Sequence, residues 1–479
     1  VGVLLLLALK KNLSNVTLIK SISGIRGTIG GKEDEGLTPI DVVKYSAAYC
    51  SIMQTAAKTR QIRIVIGRDA RVSGPMVANL VAQTLIGMGA DVIDLGLSTT
   101  PSVEVAVKKL SAHGGIILTA SHNPGQWNAL KLLNAAGEFI SAEQGKQLLD
   151  LANSGEVEFA SVDQLGQLRT YDFLNEHIQD VLALPLVDID AIRNANLNVA
   201  VDAVNSSGGI YVPALLKALG VEKMSLIYCE PNGLFPHNPE PLPEHLTDLS
   251  GHVIENKCDM GITVDPDVDR LAFVCEDGTM FGEEYTLVAV ADYVLSHRKG
   301  NTVSNLSSTR ALRDVTLRHG GSYTASAVGE VNVVKAMKDT HAVIGGEGNG
   351  GVIYPDAHYG RDALAGIALF LSHFAKQKLT MSQLRDSYPK YVISKNKIDL
   401  VQGMDVDGIL ERVQSLFSDA QINTVDGVKF DFPDGWVHLR KSNTEPIVRV
   451  YAEHQTADGA NALADRVIKA VKQIAGLNE

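Results

Sequence analysis

The chain of 479 residues is too long for one hydrophobic core and is expected to form about three or four domains of roughly 100 to 150 residues each. Its formal net charge of −12, with no long basic block to offset it, argues against a nucleic-acid partner. The four cysteines show no Cys-x-x-Cys spacing, which excludes an obvious disulfide framework or structural zinc site and favours a reduced, cytoplasmic protein.

Residues 1–15 are expected to be an extension ahead of the first strand, which we predict at 16–21. The apolar stretch 3–9 is too short to span a bilayer. No basic segment precedes it and no small-residue cleavage pattern follows it. We therefore predict neither a signal peptide nor a membrane contact.

Three stretches of the chain then repeat the same order of predicted elements: a strand, a helix, a second strand and, further along, a third strand. We predict strands at 63–67, 91–95 and 115–118, then at 198–202, 224–228 and 260–264, then at 302–306, 323–328 and 342–344, with helices at 76–88, 212–219 and 312–319. This order is typical of parallel or mixed sheets. Each last strand opens into a polar loop, so the three loops are expected to face one cleft.

The remaining residues predict a smaller α+β domain. Strands are expected at 395–400, 427–432, 436–439 and 447–452, and helices at 382–387, 406–416 and 460–475. The predicted fold class is therefore α/β, with three similar mixed-sheet α/β domains and a smaller C-terminal α+β domain around a central cleft. The predicted domain bounds are 16–162, 163–279, 280–377 and 378–479.

The first polar loop, 119–124 (TASHNP), presents the hydroxyl of Ser121 at a strand end, where open α/β sheets place their chemistry. Taken alone, the loop could be an ordinary turn, because Asn-Pro and a nearby glycine form turns. Lys131 follows closely enough to share its cleft. In a desolvated phosphate site the pKa of Lys131 is expected to fall far enough for proton transfer, although a lone lysine is usually a solvated surface residue.

The second loop carries Asp265, Asp267 and Asp269 in alternation, which can converge on one hard cation through oxygen ligands. A calcium EF-hand is the obvious rival, since Glu276 stands at the twelfth position of such a loop. Arg270, however, occupies the position where that loop needs glycine, and the flanks predict strands rather than helices. A solvated acidic turn is the remaining alternative.

Two further loops suit the two ends of a sugar phosphate. Glu347 and Asn349 lie in a glycine-rich loop that permits close approach to sugar hydroxyls. The other loop offers a guanidinium fork, hydroxyls and backbone amides, a donor set that suits a dianionic phosphate: Arg440, Ser442, Asn443 and Thr444. Ordinary turn chemistry is the alternative there.

Taken in order, these stretches resemble the α-D-phosphohexomutase family over nearly the whole chain, from about residue 18 onward. The matching stretches are 23–27 (SGIRG), 67–71 (GRDAR), 119–128 with Lys131, 233–236 (GLFP), 265–270 (DPDVDR), 346–350 (GEGNG) and 440–446 (RKSNTEP). The resemblance implies four domains, three of them alike, around a central cleft.

The resemblance also implies roles for the loop residues. Ser121 would be the phosphoserine, and one Mg²⁺ per chain would lie on Ser121, Asp265, Asp267 and Asp269. A glucose or glucosamine 1,6-bisphosphate would be the activator and intermediate. The implied catalytic residues are Ser121, Lys131 as general acid/base, Arg26, Arg270 and His122. The implied substrate-binding residues are Glu347, Asn349 and Glu330 at the sugar, and Arg440, Ser442, Asn443, Thr444 and Arg449 at the phosphate.

Several positions depart from the family pattern. Many relatives carry Ser-Gly-His where this chain has Asn349 followed by two glycines, so a histidine contact is missing. Glu330 stands where some members have histidine. His358 and Arg361 are hypothesised to compensate as substrate contacts. Trp127 and Ala129 also replace the more usual residues.

We expect a magnesium-dependent phosphohexomutase acting on a small-molecule sugar phosphate, as a monomer or homodimer, with no nucleic-acid or membrane partner. Phosphoglucosamine mutase is the first choice, because Glu330 and the glycine-rich loop resemble members assigned to that sugar. Phosphomannomutase or phosphoglucomutase activity is the runner-up. A sugar-phosphate-binding protein without catalysis and a serine-dependent phosphatase are the rivals from other classes.

Overall fold

The computed structural model describes residues 16–21, 24–400, 404–441 and 447–476. Within these ranges the strands form four sheets, of seven, four, four and five strands. No helix in the described ranges combines the length and apolar character needed to cross a bilayer. The predicted extension 1–15, residue Ser23 and the predicted phosphate-loop residues Ser442, Asn443 and Thr444 lie outside the described residues.

The first sheet lies within residues 19–170. Its strands are β1 (Ile19–Ser21), β2 (Gly24–Thr28), β3 (Arg63–Arg68), β4 (Asp91–Leu97), β5 (Gly114–Leu118), β6 (Trp127–Leu133) and β7 (Leu168–Thr170). Its helices are α1 (Pro39–Ala57), α2 (Gly74–Gly87), α3 (Thr100–Lys109) and α4 (Ala142–Ser154). The spatial order is β1-β2-β6-β5-β3-β4-β7. Because β7 pairs with β4, the sheet extends past residue 162, where we predicted the first boundary.

The second and third sheets have four strands each. The second contains β8 (Asn198–Asp202), β9 (Lys223–Ile227), β10 (Met260–Val264) and β11 (Leu271–Cys275), with helices α5 (Leu174–Leu182), α6 (Ile189–Ala195), α7 (Gly208–Ala218) and α8 (Thr247–Glu255). The third contains β12 (Thr302–Asn305), β13 (Tyr323–Ser326), β14 (Ile344–Glu347) and β15 (Gly351–Ile353), with helices α9 (Glu283–His297), α10 (Ala311–Arg318), α11 (Glu330–Thr340) and α12 (Ala363–Lys376).

The same four-strand arrangement occurs in all three sheets. The orders β4-β3-β5-β6, β9-β8-β10-β11 and β13-β12-β14-β15 are equivalent. In each, the first three strands along the chain run parallel and the fourth pairs antiparallel with the third. The three polar loops join the third strand to the fourth in every repeat, which brings them to equivalent sheet edges.

The fourth sheet is antiparallel throughout and belongs to the smaller C-terminal domain. It contains β16 (Val392–Asp399), β17 (Gln421–Asn423), β18 (Val428–Asp431), β19 (Gly435–Lys441) and β20 (Ile447–His454), in the order β16-β20-β19-β18-β17. Helix α13 (Met381–Asp386) precedes it, and α14 (Val406–Gln414) and α15 (Ala457–Ala475) belong to the same domain. The predicted fold class is confirmed.

Two strands extend into the stretches around the polar loops. Trp127 and Asn128 belong to the matching stretch 119–128, which contains the first polar loop, but they begin β6, because Trp127 pairs with Thr28 and Asn128 with Gly27 across an antiparallel ladder. Glu347 was predicted in a loop but ends β14, opposite Gly351. The glycine-rich end of β14 lacks the β-branched residues by which a strand is recognised in a sequence.

Buried apolar side chains make one continuous core across the second and third repeats. Phe273 on β11, Phe281 before α9 and Phe370 on α12 belong to it, and the rings of Phe273 and Phe370 stack with centroids 3.9 Å apart. Strands β5, β10 and β11 are buried along their whole length, as apolar strands covered on both faces are. The first two polar loops therefore begin at the ends of fully buried strands.

The contact between the third repeat and the C-terminal domain includes a buried histidine. His438 Nε2 donates to the carbonyl of Asp426 at 2.7 Å, and Nδ1 accepts from the Ser307 hydroxyl at 2.9 Å. Burial lowers the pKa of His438 to about 4. In the unfolded chain His438 binds a proton below the ordinary histidine pKa of about 6.5, whereas in the folded protein it stays neutral until about pH 4. The free energy of unfolding therefore decreases as the pH falls from 6.5 towards 4.

We expect this histidine to contribute about 3 kcal/mol of acid destabilisation. The His438→Gln variant should therefore lose less thermal stability than the parent protein between pH 7 and pH 4. Thermal midpoints measured across this range check the expectation, with His341→Asn, at an exposed position, as the matched control. Parallel pH profiles for the parent and His438→Gln would contradict it.

Candidate active site

Ser121 is the third residue of the connection between β5 and β6. Its side chain is buried, and its backbone adopts a φ of +50°, a left-handed conformation that costs energy in a residue with a Cβ atom. The Oγ atom donates to Asp265 Oδ2 at 2.6 Å, and the backbone N–H donates to Thr119 Oγ1 at 2.9 Å. The first loop thus presents its hydroxyl directly to the second.

A buried arginine holds this loop in place. Arg71 donates from Nη2 to the carbonyls of Ser121 and Asn123, both at 2.6 Å, and from Nη1 to those of Pro124 and Trp127, at 2.6 and 3.0 Å. Its Nε donates to Asp69 Oδ2 at 2.9 Å. The sequence predicted no role for Arg71, although its place at the end of the matching stretch 67–71 was an available signal.

Three of the four predicted metal ligands, the aspartates, come together in the connection between β10 and β11. Asp265, Asp267 and Asp269 are buried, and each offers a carboxylate oxygen within 4.8 Å of the others. Burial, together with the charges of Asp267 and Asp269, raises the pKa of Asp265 well above its ordinary value. The Oδ1 atoms of Asp267 and Asp269 are buried and have no hydrogen-bond partner among the described residues. Free carboxylate oxygens in such a cluster fit a hard divalent cation such as Mg²⁺.

Lys131 lies on β6 and reaches the same carboxylates. Its Nζ donates to Asp267 Oδ2 at 2.6 Å and to Asp269 Oδ2 at 3.1 Å. Burial lowers the pKa of Lys131, but the charges of Asp267 and Asp269 more than offset this and raise it above its ordinary value. The lowered pKa that we expected from desolvation is therefore not found, because two carboxylates surround the ammonium group.

Three arginines lie around the aspartates. Burial and the charges of Arg270 and Arg361 lower the pKa of Arg26, which lies on β2 beside β6. Arg270 Nη1 pairs with Glu240 Oε1 at 3.2 Å, a partner that the sequence did not predict.

His122 lies beside the serine. Its Nδ1 atom is 3.4 Å from Ser121 Oγ. Burial and the charge of Arg270 lower the pKa of His122 well below its ordinary value, so the ring is neutral.

Arg361 connects the sugar-loop residues to the aspartates. Its Nη2 donates to Asp269 Oδ2 at 2.7 Å, Nη1 to Glu347 Oε2 at 3.0 Å and Nε to Glu330 Oε2 at 2.8 Å. Glu347 Oε1 also accepts from Asn305 Nδ2 at 2.9 Å. One guanidinium group therefore faces three carboxylates. Lys131 also pairs with Asp269, so the excess of negative charge lies at Glu330 and Glu347, which share Arg361.

Of the two predicted compensating residues, His358 is placed differently from our expectation. Its Nε2 lies 3.3 Å from Asp362 Oδ2 and its Nδ1 lies 3.3 Å from Glu104 Oε2, so both ring nitrogens face buried carboxylates instead of the sugar loop. Asn349 is only partly buried, and its Oδ1 accepts from the backbone of Gly351 at 3.3 Å. A contact to sugar remains open to Asn349 and Arg361 but not to His358.

The described part of the predicted phosphate site forms a basic row on the fourth sheet. Arg440 on β19 lies opposite Arg449 on β20, which in turn lies opposite Lys397 on β16. Directly opposite residues share one face of a sheet. Arg440 Nε pairs with Asp426 Oδ2 at 2.9 Å, and Arg449 is exposed. Lys397 was missed because strand register cannot be read from local sequence.

Comparison with protein families matches all four parts of the chain. The models for phosphoglucomutase/phosphomannomutase alpha/beta/alpha domains I, II and III match residues 18–158, 175–278 and 282–391, and the model for the C-terminal domain matches residues 395–470. The chain belongs to the phosphoglucomutase/phosphomannomutase family. The predicted family and the predicted enzyme class, a phosphohexomutase, are confirmed.

Individual relatives cover nearly the whole chain. A phosphoglucomutase/phosphomannomutase of Thermococcus kodakarensis is 34% identical over 93% of this chain and 98% of its own length. A phosphoglucosamine/phosphogalactosamine mutase of Sulfurisphaera tokodaii is 31% identical over 94% of this chain and 98% of its own. The crystal structure of a phosphoglucomutase/phosphomannomutase family protein from Burkholderia thailandensis superposes with a TM-score of 0.84 at 26% identity, covering 97% of this chain and 98% of that one.

Proposed function

We propose that this phosphohexomutase moves phosphate between the 6 and 1 positions of a hexose through a phosphoserine at Ser121 and a sugar 1,6-bisphosphate. The observation that carries the proposal is the 2.6 Å hydrogen bond from Ser121 Oγ to Asp265, within a buried cluster that also contains Asp267, Asp269 and Lys131. A strand-end hydroxyl, a cation site and a proton donor are the groups that phosphoryl transfer needs.

In the transfer, the bond between phosphorus and Ser121 Oγ breaks as a bond to a sugar hydroxyl oxygen forms, and the hydroxyl gives up its proton. Lys131 is the proposed group that exchanges this proton, and its partners Asp267 and Asp269 set its position. Mg²⁺, held by the three aspartates and the phosphoserine, would supply charge neutralisation. Arg26, Arg270 and neutral His122 are proposed to orient the phosphate. The bisphosphate then turns over and returns its other phosphate to Ser121.

The sugar ring and the phosphate that is not being transferred have separate proposed contacts. Glu330, Glu347 and Asn349 are proposed to bind the sugar hydroxyls, with Arg361 between the two glutamates. The basic row of Arg440 and Arg449, together with the predicted loop residues Ser442, Asn443 and Thr444, is proposed to hold the phosphate that is not being transferred.

Among hexoses, we propose glucosamine phosphate as the preferred substrate. Glu330 and Glu347 share the single Arg361 guanidinium group, and the remaining negative charge favours a sugar that carries an ammonium group. The relative from Sulfurisphaera tokodaii is named for amino-sugar phosphates. The relative from Thermococcus kodakarensis is named for glucose and mannose phosphates, so those sugars are the second candidate.

Phosphorus NMR of the purified protein with Mg²⁺ and a trace of glucose 1,6-bisphosphate tests the reaction and the sugar together. Glucosamine, glucose and mannose 1-phosphates are offered in parallel. We expect all conversions to the 6-phosphate to stop after chelation of Mg²⁺, and glucosamine phosphate to be converted fastest. Release of inorganic phosphate without isomerisation would favour a phosphatase, and no reaction with any sugar would favour a binding protein.

The Glu330→Gln variant tests the electrostatic argument for the amino sugar. Removing one carboxylate should lower kcat/KM for glucosamine 1-phosphate by roughly tenfold or more, since hydrogen bonds to charged groups contribute about 1.5–3 kcal/mol. We expect a smaller loss for glucose 1-phosphate, which has no ammonium group. Equal losses for both sugars in steady-state assays would contradict the argument.

A further inference from the structure

A second cluster of titratable side chains lies where the first three repeats meet. Glu104 is on α3, His177 is on α5, and His358 and Asp362 precede α12. All four residues are buried, with at most 6% of their surface exposed. The proposed reaction uses none of them.

The two histidines converge on one oxygen atom. His177 Nε2 lies 3.1 Å from Asp362 Oδ2, and His358 Nε2 lies 3.3 Å from the same oxygen. The other oxygen of Asp362 accepts from the backbone N–H groups of Leu364 and Ala365 at the start of α12, at 2.8 and 3.2 Å. This helix cap fixes the carboxylate and leaves Oδ2 directed at the histidines.

The spacing of these atoms suits the ligands of a shared cation. Charge-assisted hydrogen bonds between nitrogen and oxygen are usually about 2.7–2.9 Å long. The observed separations of 3.1 and 3.3 Å are longer. Ligand atoms about 2.0–2.1 Å from a tetrahedral zinc ion lie about 3.3–3.4 Å from one another, which is close to the separations found here.

The outer nitrogens of the two histidines lie beside polar groups. His177 Nδ1 is bonded to Ser102 Oγ at 2.7 Å, whereas His358 Nδ1 lies 3.3 Å from Glu104 Oε2 without the geometry of a hydrogen bond. Metal-ligating histidines are oriented by a carboxylate or hydroxyl at the nitrogen that does not bind the metal. His177 therefore has the orientation that ligation through Nε2 requires, and a carboxylate stands beside the outer nitrogen of His358.

Charge balance supports the same assignment. Both carboxylate oxygens of Glu104 are buried and have no hydrogen-bond partner among the described residues, although Oε2 faces His358 Nδ1 at 3.3 Å. When both histidines are neutral, as metal ligation requires, Glu104 and Asp362 leave two negative charges in the protein interior, where uncompensated charge is costly. A dication beside them makes the cluster neutral.

We propose that His177, His358 and Asp362 bind a first-row transition-metal dication, with zinc the best match to two imidazoles and a carboxylate. The fourth position would be taken by water. The site would join α5 of the second repeat to the segment before α12 of the third, while Glu104 and Ser102 of the first repeat support its histidines. Because Asp362 follows Arg361 directly, the ion would also fix the backbone beside the proposed sugar contact.

Zinc content after chelation and equilibrium dialysis tests the proposal without an activity assay. The Asp267→Asn variant removes a ligand of the proposed magnesium site, which also has affinity for zinc. We expect about two equivalents of zinc on the parent protein, one on Asp267→Asn, and none on Asp267→Asn/His358→Gln. His373→Gln, another buried histidine on α12, is the matched control and should keep both equivalents.

The visible spectrum of the Co²⁺-loaded parent protein gives a second readout that needs no variant at the histidines. A four-coordinate site with nitrogen ligands gives intense bands, whereas a six-coordinate site of oxygen ligands gives weak ones. Equal zinc content in Asp267→Asn and Asp267→Asn/His358→Gln, or only weak cobalt bands in excess Mg²⁺, would overturn the proposal. Protonated histidines paired with Asp362 and Glu104 would then account for the cluster.

Discussion

Replacing Ser121 with alanine is expected to abolish phosphate exchange between the two sugar positions. The proposed route needs an oxygen nucleophile that is phosphorylated and then returns the phosphate, and the variant removes that oxygen while adding no bulk. The nearest hydroxyl along the loop is Thr119 Oγ1. It donates to Asp69 at 2.6 Å and so stabilises the loop. We expect kcat to fall by at least about 10⁴-fold, as for other covalent nucleophiles.

Coupled assays of 6-phosphate formation measure the loss, and mass spectrometry of the parent protein should find the phosphate on Ser121. Ser73→Ala is the matched control, because Ser73 accepts a hydrogen bond from Asn128 at 2.9 Å but has no contact with the aspartates in the described structure. It should retain most of its activity. Substantial turnover by Ser121→Ala would contradict the phosphoserine route and leave direct transfer between two sugars to be considered.

The repeated fold was predictable because its signals are local. Buried strands such as β5 and β10 are short apolar runs, and each ends at a polar loop that the sequence displays as a unit. The equivalence of the three loops followed from their position after comparable strands. The edge strand β7 was missed because its three residues are exposed and carry no apolar alternation.

The electrostatics of the site could not be predicted in the same way. Arg361 pairs with residues that lie 92, 31 and 14 positions away along the chain, and spacing alone does not show that these carboxylates meet at one guanidinium group. The pKa of Lys131 was expected to fall because burial alone was considered. Its shift has the opposite sign because Asp267 and Asp269, more than 130 positions later, lie within hydrogen-bond distance.

Arg71 received no role in the sequence analysis, and we expect its replacement by methionine to be severely destabilising. The side chain is fully buried and bonded to four loop carbonyls and to Asp69. Methionine fills part of the volume but leaves the Asp69 charge and the carbonyls without a donor. Breaking a buried ion pair from one side costs about 3–5 kcal/mol, which should appear as a lower thermal midpoint.

The local consequence separates this role from general instability. Hydrogen exchange of residues 119–128 should become faster in Arg71→Met, and kcat should fall by about 10²-fold as Ser121 moves away from Asp265. Arg71→Lys restores the charge but not the planar fork that reaches four carbonyls, so we expect it to recover stability only in part. Arg68→Met, at the end of β3, is the matched control, because the Arg68 side chain donates to the carbonyl of Asp69 and not to residues 119–128. It should leave the exchange of 119–128 unchanged. If Arg71→Met lowered the thermal midpoint but left that exchange and kcat unaltered, Arg71 would stabilise the first repeat without positioning its serine.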